Sequence, residues 1–137
     1  MGRILAIDFG LKRTGIAVTD PLQIIANGLD TVPTHTLLVF LQTYFAKETV
    51  DQVVIGMPKN LDNTDTDSTA GVRIFIKSFR KKFPLIPLEE HDERFTSKMA
   101  MQSMIAMGSK KKDRIEKAGN LDKVSAAIIL QSYLEQI

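Results

Sequence analysis

The sequence predicts an α/β domain, and three observations carry that prediction. Two aliphatic runs, Ile4-Leu5-Ala6-Ile7-Asp8-Phe9 and Ile16-Ala17-Val18, flank Gly10 and the turn Leu11-Lys12-Arg13-Thr14-Gly15, which reads as a hairpin. Val53-Val54-Ile55 is continuously apolar, as in a strand buried on both faces. Between and after these runs, apolar residues recur at helical spacing, first as Leu37, Leu38, Leu41, Tyr44 and Phe45, then as Val72, Phe75, Ile76 and Phe79.

Taken in order, strands are expected at about 3–9, 14–19 and 27–32, with Asp20-Pro21 breaking the chain between the last two. Pro33 and Thr34 supply the start signal for a helix from about Thr36 to Glu48. A strand follows over Val50–Gly56, then a helix over Ser68–Lys82 that Pro84 ends. The next strand covers 86–91, with Pro87 at its start because proline cannot donate within a central strand. A Met-rich helix is expected over Thr96–Met107, capped by Gly108, its methionines serving as adaptable core filler. The last helix is expected over 121–136.

Composition sets the bounds. With 137 residues, 44% hydrophobic and 25% charged, one soluble domain over 1–137 is expected, large enough to need no staple. There is no cysteine, so disulfides, thiolate metal sites and cysteine nucleophiles are excluded. No apolar run approaches the roughly 20 residues of a membrane span, and no signal peptide precedes the first strand. A cytoplasmic protein without membrane association is the expectation. A net charge of +2 says little about nucleic acid, but its distribution says more. Lys77, Arg80, Lys81 and Lys82 close one helix, where the macrodipole already favours cations. Lys110, Lys111, Lys112 and Arg114 form a second cluster, either a solvated face or a phosphate-contacting run.

Asp8 stands out as a lone acid at the end of an apolar run. Burying an unpaired carboxylate costs several kcal/mol, so either turn donors or a cation should sit against it. Asp92-Glu93 follows the 86–91 strand and Asp122 opens the last apolar helix. Three separated acids at element ends are what a carboxylate site for a hard cation such as Mg²⁺ requires. Adjacent Asp92 and Glu93 cannot both face one site from a regular strand, so only one of them is a ligand; Glu93 is the choice, with Asp92 the alternative. An acid in a helix's first turn is also stabilised by the dipole, which is the plain account of Asp122. Ser125 and Ala126 lie on the same helix face, however, and are small enough to let it approach a sheet. Lys12, Arg13 and Thr14 could grip a phosphate beside Asp8, as could Arg94 and Thr96, although Thr96 also suits an N-cap. Asp62, Asp65 and Asp67 lack the glycine and terminal glutamate of a calcium loop. His35 is isolated, and His91 is expected to be structural.

Five blocks now resemble the YqgF/RuvX family of the RNase H-like superfamily. They are Ile7-Asp8-Phe9-Gly10 with Lys12-Arg13-Thr14-Gly15; Asp20-Pro21; Val54-Ile55-Gly56-Met57-Pro58; Asp92-Glu93-Arg94-Phe95-Thr96-Ser97; and the stretch from Asp122 to Leu134. The departure is Leu61–Thr69, where the usual small, Gly-containing segment is replaced. The resemblance implies an RNase H-like fold, a mixed central sheet with helices on both faces. It places one acid on the first strand, one at the end of the fourth and one on the last helix. Asp8, Glu93 and Asp122 match those places as catalytic residues and as ligands of Mg²⁺ or Mn²⁺, with two ions expected.

The function so implied is metal-dependent hydrolysis of phosphodiester bonds in structured RNA, in processing pre-16S ribosomal RNA during ribosome biogenesis. Expected partners are pre-rRNA, a ribosome or pre-ribosome, and branched DNA in the rival reading, a Holliday junction resolvase. Junction cleavage would demand a symmetric dimer, and the sequence leaves monomer and homodimer open. A non-catalytic RNA-binding factor is the non-enzyme alternative. An ATPase of the actin or sugar-kinase kind needs two such lobes, and 137 residues supply one.

Overall fold

A computed structural model describes residues 2–57, 69–92 and 118–136. Five strands form one mixed sheet in the order β3-β2-β1-β4-β5. They are β1 (Arg3–Asp8), β2 (Arg13–Thr19), β3 (Ala26–Pro33), β4 (Val50–Met57) and β5 (Leu88–Asp92). β1 runs antiparallel to β2, and β2 antiparallel to β3; β4 and β5 are added parallel to β1 on its other side. Three helices complete the described residues: α1 (Leu37–Lys47), α2 (Thr69–Lys82) and α3 (Ala118–Gln136).

The apolar runs are explained by burial on both faces. Leu5, Ile7, Ile16, Val53 and Ile55 pack under α1 and α2, while Ile4, Ala6, Ala17 and Val54 meet Ala126, Ile129 and Leu130 of α3. A central strand so placed has no solvent face, hence no polar alternation. β3, at the edge, is half exposed, and a register shift opposite Ile16 and Ala17 interrupts its pairing, as edges commonly are interrupted.

The predicted face of α2 is the buried one: Val72, Phe75, Ile76 and Phe79. Its rings and Phe83 just beyond it form a column, with centroids 6.0 Å apart for Phe75 and Phe79 and 5.1 Å for Phe79 and Phe83, closed by Phe45 of α1 at 5.0 Å from Phe83. Phe9 extends the column, 5.7 Å from Phe75. Each such pair contributes about 0.5–1.5 kcal/mol beyond area burial. Gly71 is where α2 meets this residue, since a Cβ there would stand 3.2 Å from the Phe9 ring.

Among the boundaries that differ from expectation, three bear on packing. The first helix is preceded by a 3-10 turn, Thr34–Thr36, because Thr36 donates its hydroxyl to the Pro33 carbonyl (2.8 Å) instead of capping α1. Pro87 lies just before β5, and its carbonyl accepts from Val53 N–H at 2.9 Å. The last helix begins at Ala118, three residues earlier than the apolar pattern suggests. The helix expected over Thr96–Met107 and its Gly108 cap lie outside the described residues.

Candidate nuclease site

β1, β4 and β5 are parallel, so their C-terminal ends share one edge of the sheet. Asp8 is the last residue of β1, one step beyond the Ile7–Ile55 pair. Ile4 and Ala6 face α3, and the period of two carries Asp8 to that side, partly buried. The next residue on β4 is Gly56, buried and without a side chain. Gly56 pairs with His91 of β5, and Met57 with Asp92, so β5 ends at the same edge with β4 between it and Asp8.

The β1–β2 turn is tightly built. Phe9 is held in the core, and Gly10 cannot carry a Cβ because the Arg13 carbonyl occupies that space. Thr34, immediately after β3, reaches the turn twice: its N–H donates to the Lys12 carbonyl (3.0 Å) and its Oγ1 to the Gly10 carbonyl (2.6 Å). Lys12 and Arg13 are exposed at the turn surface. Thr14 departs from the expectation of a phosphate contact. Its side chain is fully buried and its hydroxyl lies 2.9 Å from that of Thr34, because its β2 position shares the face of Ile16 and Val18, covered by α1 and α2.

His91 is buried, with Nε2 3.0 Å from the Ser132 hydroxyl of α3, which fits the structural role expected of it. One position along α3, burial pushes the Tyr133 phenol above its ordinary pKa, and the negative charge and hydrogen bond of Glu89 add to the shift. Glu89 and His91, alternate residues of β5, thus both meet α3.

The resemblance puts the second acid at the end of the fourth strand, whereas Asp92 closes the fifth, because the meander supplies three strands before β4. Glu93, Arg94, Thr96, Lys110, Lys111, Lys112 and Arg114 lie outside the described residues. Asp122 stands in the second turn of α3, one helical turn before Ser125 and Ala126, which are buried as expected of small residues at a helix–sheet contact. Among the described residues no group of three or more His, Cys, Asp and Glu side chains is arranged to hold a metal ion. What the residue pattern missed is the double grip of Thr34. Only its hydroxyl, next to a proline, hinted at anything beyond a helix start.

A family model described as "RuvX: Holliday junction resolvase" matches residues 2–136. The chain belongs to the RuvX family. Close relatives agree over nearly their whole length. A protein from Bacteroides thetaiotaomicron is 54% identical over 135 residues, 98% of this chain and 97% of its own. One from Phocaeicola vulgatus is 56% identical over 135 residues (98% and 96%), and one from Christiangramia forsetii 55% identical over 134 (98% of each). Each carries the name "Putative pre-16S rRNA nuclease". The RuvX match spans every described element, including the Asp8 edge and α3.

Proposed function

We propose that this chain is a metal-dependent nuclease that hydrolyses phosphodiester bonds in structured RNA, acting in maturation of precursor 16S ribosomal RNA. The observation that carries the reading is the shared sheet edge, where Asp8, an exposed cationic turn and the end of β5 come together. The names of the relatives supply the RNA.

Asp8, Glu93 and Asp122 would hold Mg²⁺ or Mn²⁺, two ions in all. The fit rests on hard oxygen donors and on the side-chain-free Gly56 beside Asp8, which leaves room at the edge. When bound, such a metal pair supplies an activated water and stabilises the leaving oxygen. Glu93 is preferred to Asp92 because Glu89 and His91 meet α3, and in an unbroken strand position 93 continues that series. Asp122 is outside the first turn of α3, so the helix dipole gives little reason for an acid there.

Lys12 and Arg13, with Arg94 and Thr96, hold phosphates and so position the strand without reading its bases. Thr14 supports the turn from beneath. The Lys110–Lys112 run extends the phosphate path. No helix among the described residues is long and apolar enough to cross a membrane, and a cytoplasmic site of action on a ribosome or pre-ribosome, as monomer or homodimer, belongs to the same reading.

The family description favours a second reading, cleavage of four-way DNA junctions. Purified protein with Mg²⁺ or Mn²⁺ should be given precursor 16S rRNA and a four-way DNA junction side by side. Cleavage of the RNA with the junction spared is expected. Selective junction cleavage would replace RNA by DNA as the substrate, and RNA bound but never cut would leave a binding factor.

A further inference from the structure

We propose that Thr34 is a positioning residue that shapes the β1–β2 turn for phosphate binding, an inference resting on the nuclease reading of the Asp8 edge. Thr34 lies 24 residues from Gly10 in sequence, yet it holds two carbonyls of one short turn, Gly10 through Oγ1 at 2.6 Å and Lys12 through its N–H at 3.0 Å. A threonine hydroxyl has one proton and two lone pairs. Because that proton goes to the Gly10 carbonyl, the 2.9 Å contact with Thr14 must be Thr14 donating to Thr34. Thr14 is fully buried and Thr34 partly so, which leaves the Thr14 hydroxyl no partner in water. The relay therefore runs one way, from Thr14 through Thr34 to Gly10.

The other restraints on the turn show what the relay adds. Phe9 is anchored against Phe75, and the Arg13 carbonyl packs where a Cβ of Gly10 would be. These fix the two ends of the turn. Thr34 fixes its middle, from which the exposed Lys12 side chain leaves. Holding a binding group in one geometry before substrate arrives lowers the ordering cost on binding. Lys12 and Arg13 grip phosphate alike in ground and transition states, so loosening them should raise KM more than it lowers kcat.

The test uses the whole protein with Mg²⁺ or Mn²⁺ and a precursor 16S rRNA fragment, and reads kcat, KM and the salt dependence of RNA binding. Thr34→Val keeps the backbone N–H and the shape but removes the hydroxyl. It should raise KM about tenfold, short of the roughly hundredfold that a misplacement of about 1 Å can cost. It should also flatten the slope of log affinity against log salt by about 0.7, the share of one neutralised phosphate in a single strand. Thr34→Ser, which retains the hydroxyl, should restore both. Thr36→Val, which removes a hydroxyl bonded, among the described residues, only to the Pro33 carbonyl, should change neither. If Thr34→Val fails to fold, the double variant Thr14→Val with Thr34→Val removes both hydroxyls without orphaning one, and carries the same expectation. Wild-type KM and salt slope in a folded variant lacking the Thr34 hydroxyl would overturn the proposal, whatever its melting temperature, as would failure of Thr34→Ser to restore them. Asp8→Asn, run alongside, separates the two ideas. If it cuts at the wild-type rate the nuclease site is misplaced, while the salt slope of Thr34→Val still reports on the turn.

Discussion

The two tight connections of β2 lie at opposite ends of the sheet and are stabilised in opposite ways. Between β2 and β3 most of the bonds are local, with one reach by Gln23 to Gly2. Asp20 Oδ1 accepts from the N–H groups of Ile24 (2.8 Å) and Ile25 (2.9 Å), and its carbonyl accepts from Gln23 N–H at 2.9 Å. Gln23 sits at φ 60, a left-handed conformation that costs a non-glycine residue roughly 1–2 kcal/mol, offset here by its side-chain bond to the Gly2 carbonyl at 2.8 Å. At the Asp8 end the turn is instead held from a distance, by a neutral hydroxyl of Thr34 and a phenyl ring in the core. The difference is electrostatic. A carboxylate is the stronger acceptor for backbone amides, but beside the turn proposed to bind phosphate it would repel the ligand and compete for Lys12 and Arg13. The distal connection bears no such constraint, and it displays Leu22, Ile24 and Ile25 without a cation, where the other displays Lys12 and Arg13 beside Leu11.

The most direct way to break this contrast is to remove the acid from the Asp8 end. Asp8→Asn should abolish RNA cleavage while leaving thermal stability close to wild type, since folding rests on the apolar clusters on both faces of the sheet. Cleavage at the wild-type rate would show that this end is merely a well-built turn. A next, smaller contrast lies beyond β5: Glu93→Gln should lose most activity and Asp92→Asn much less. The reverse ranking would move the ligand to Asp92, and negligible loss in both would take β5 out of the chemistry.

Rigidity can be probed separately from chemistry. Gly10→Ala should destabilise the protein by about 1–3 kcal/mol in denaturant unfolding, because its Cβ collides with the Arg13 carbonyl, a backbone atom with nowhere to go. A change within about 0.5 kcal/mol, the range of ordinary surface substitutions, would show the turn to be slack. The smallest effect is expected at the distal end. The amides of Ile25 and Ile24 hold the Asp20 carboxyl below its ordinary pKa. A group depressed in this way stabilises the fold fully above the pKa it has when unfolded, and loses that contribution as pH falls through its folded value. Asp20→Asn should therefore melt lower than wild type at neutral pH, with the gap closing in acid and cleavage at neutral pH unchanged. A gap that stays constant with pH would assign the loop's order to Gln23 and Pro21 instead.

Much of this molecule was determined by sequence alone. The hairpin, the doubly buried strands and the α2 face all follow from hydrophobic period, a local property that packing only exploits. Asp8 is conspicuous for the same reason, as an acid where that period predicts an aliphatic. The small pair Ser125 and Ala126 likewise signals a close helix–sheet contact. Tertiary structure alone decided how Thr14 and Thr34 are used. A threonine reads the same in sequence whether it greets solvent, caps a helix or relays a proton's direction through a partly buried pair. Its partner is chosen by strand register, which sets Thr14 opposite Val32 and so brings Thr34, two residues on, beneath a turn 24 positions away. The onset of α3 at Ala118 was hidden for a related reason. Its first residues carry little apolar period, and a helix extends past its apolar stripe wherever backbone hydrogen bonds continue to be satisfied.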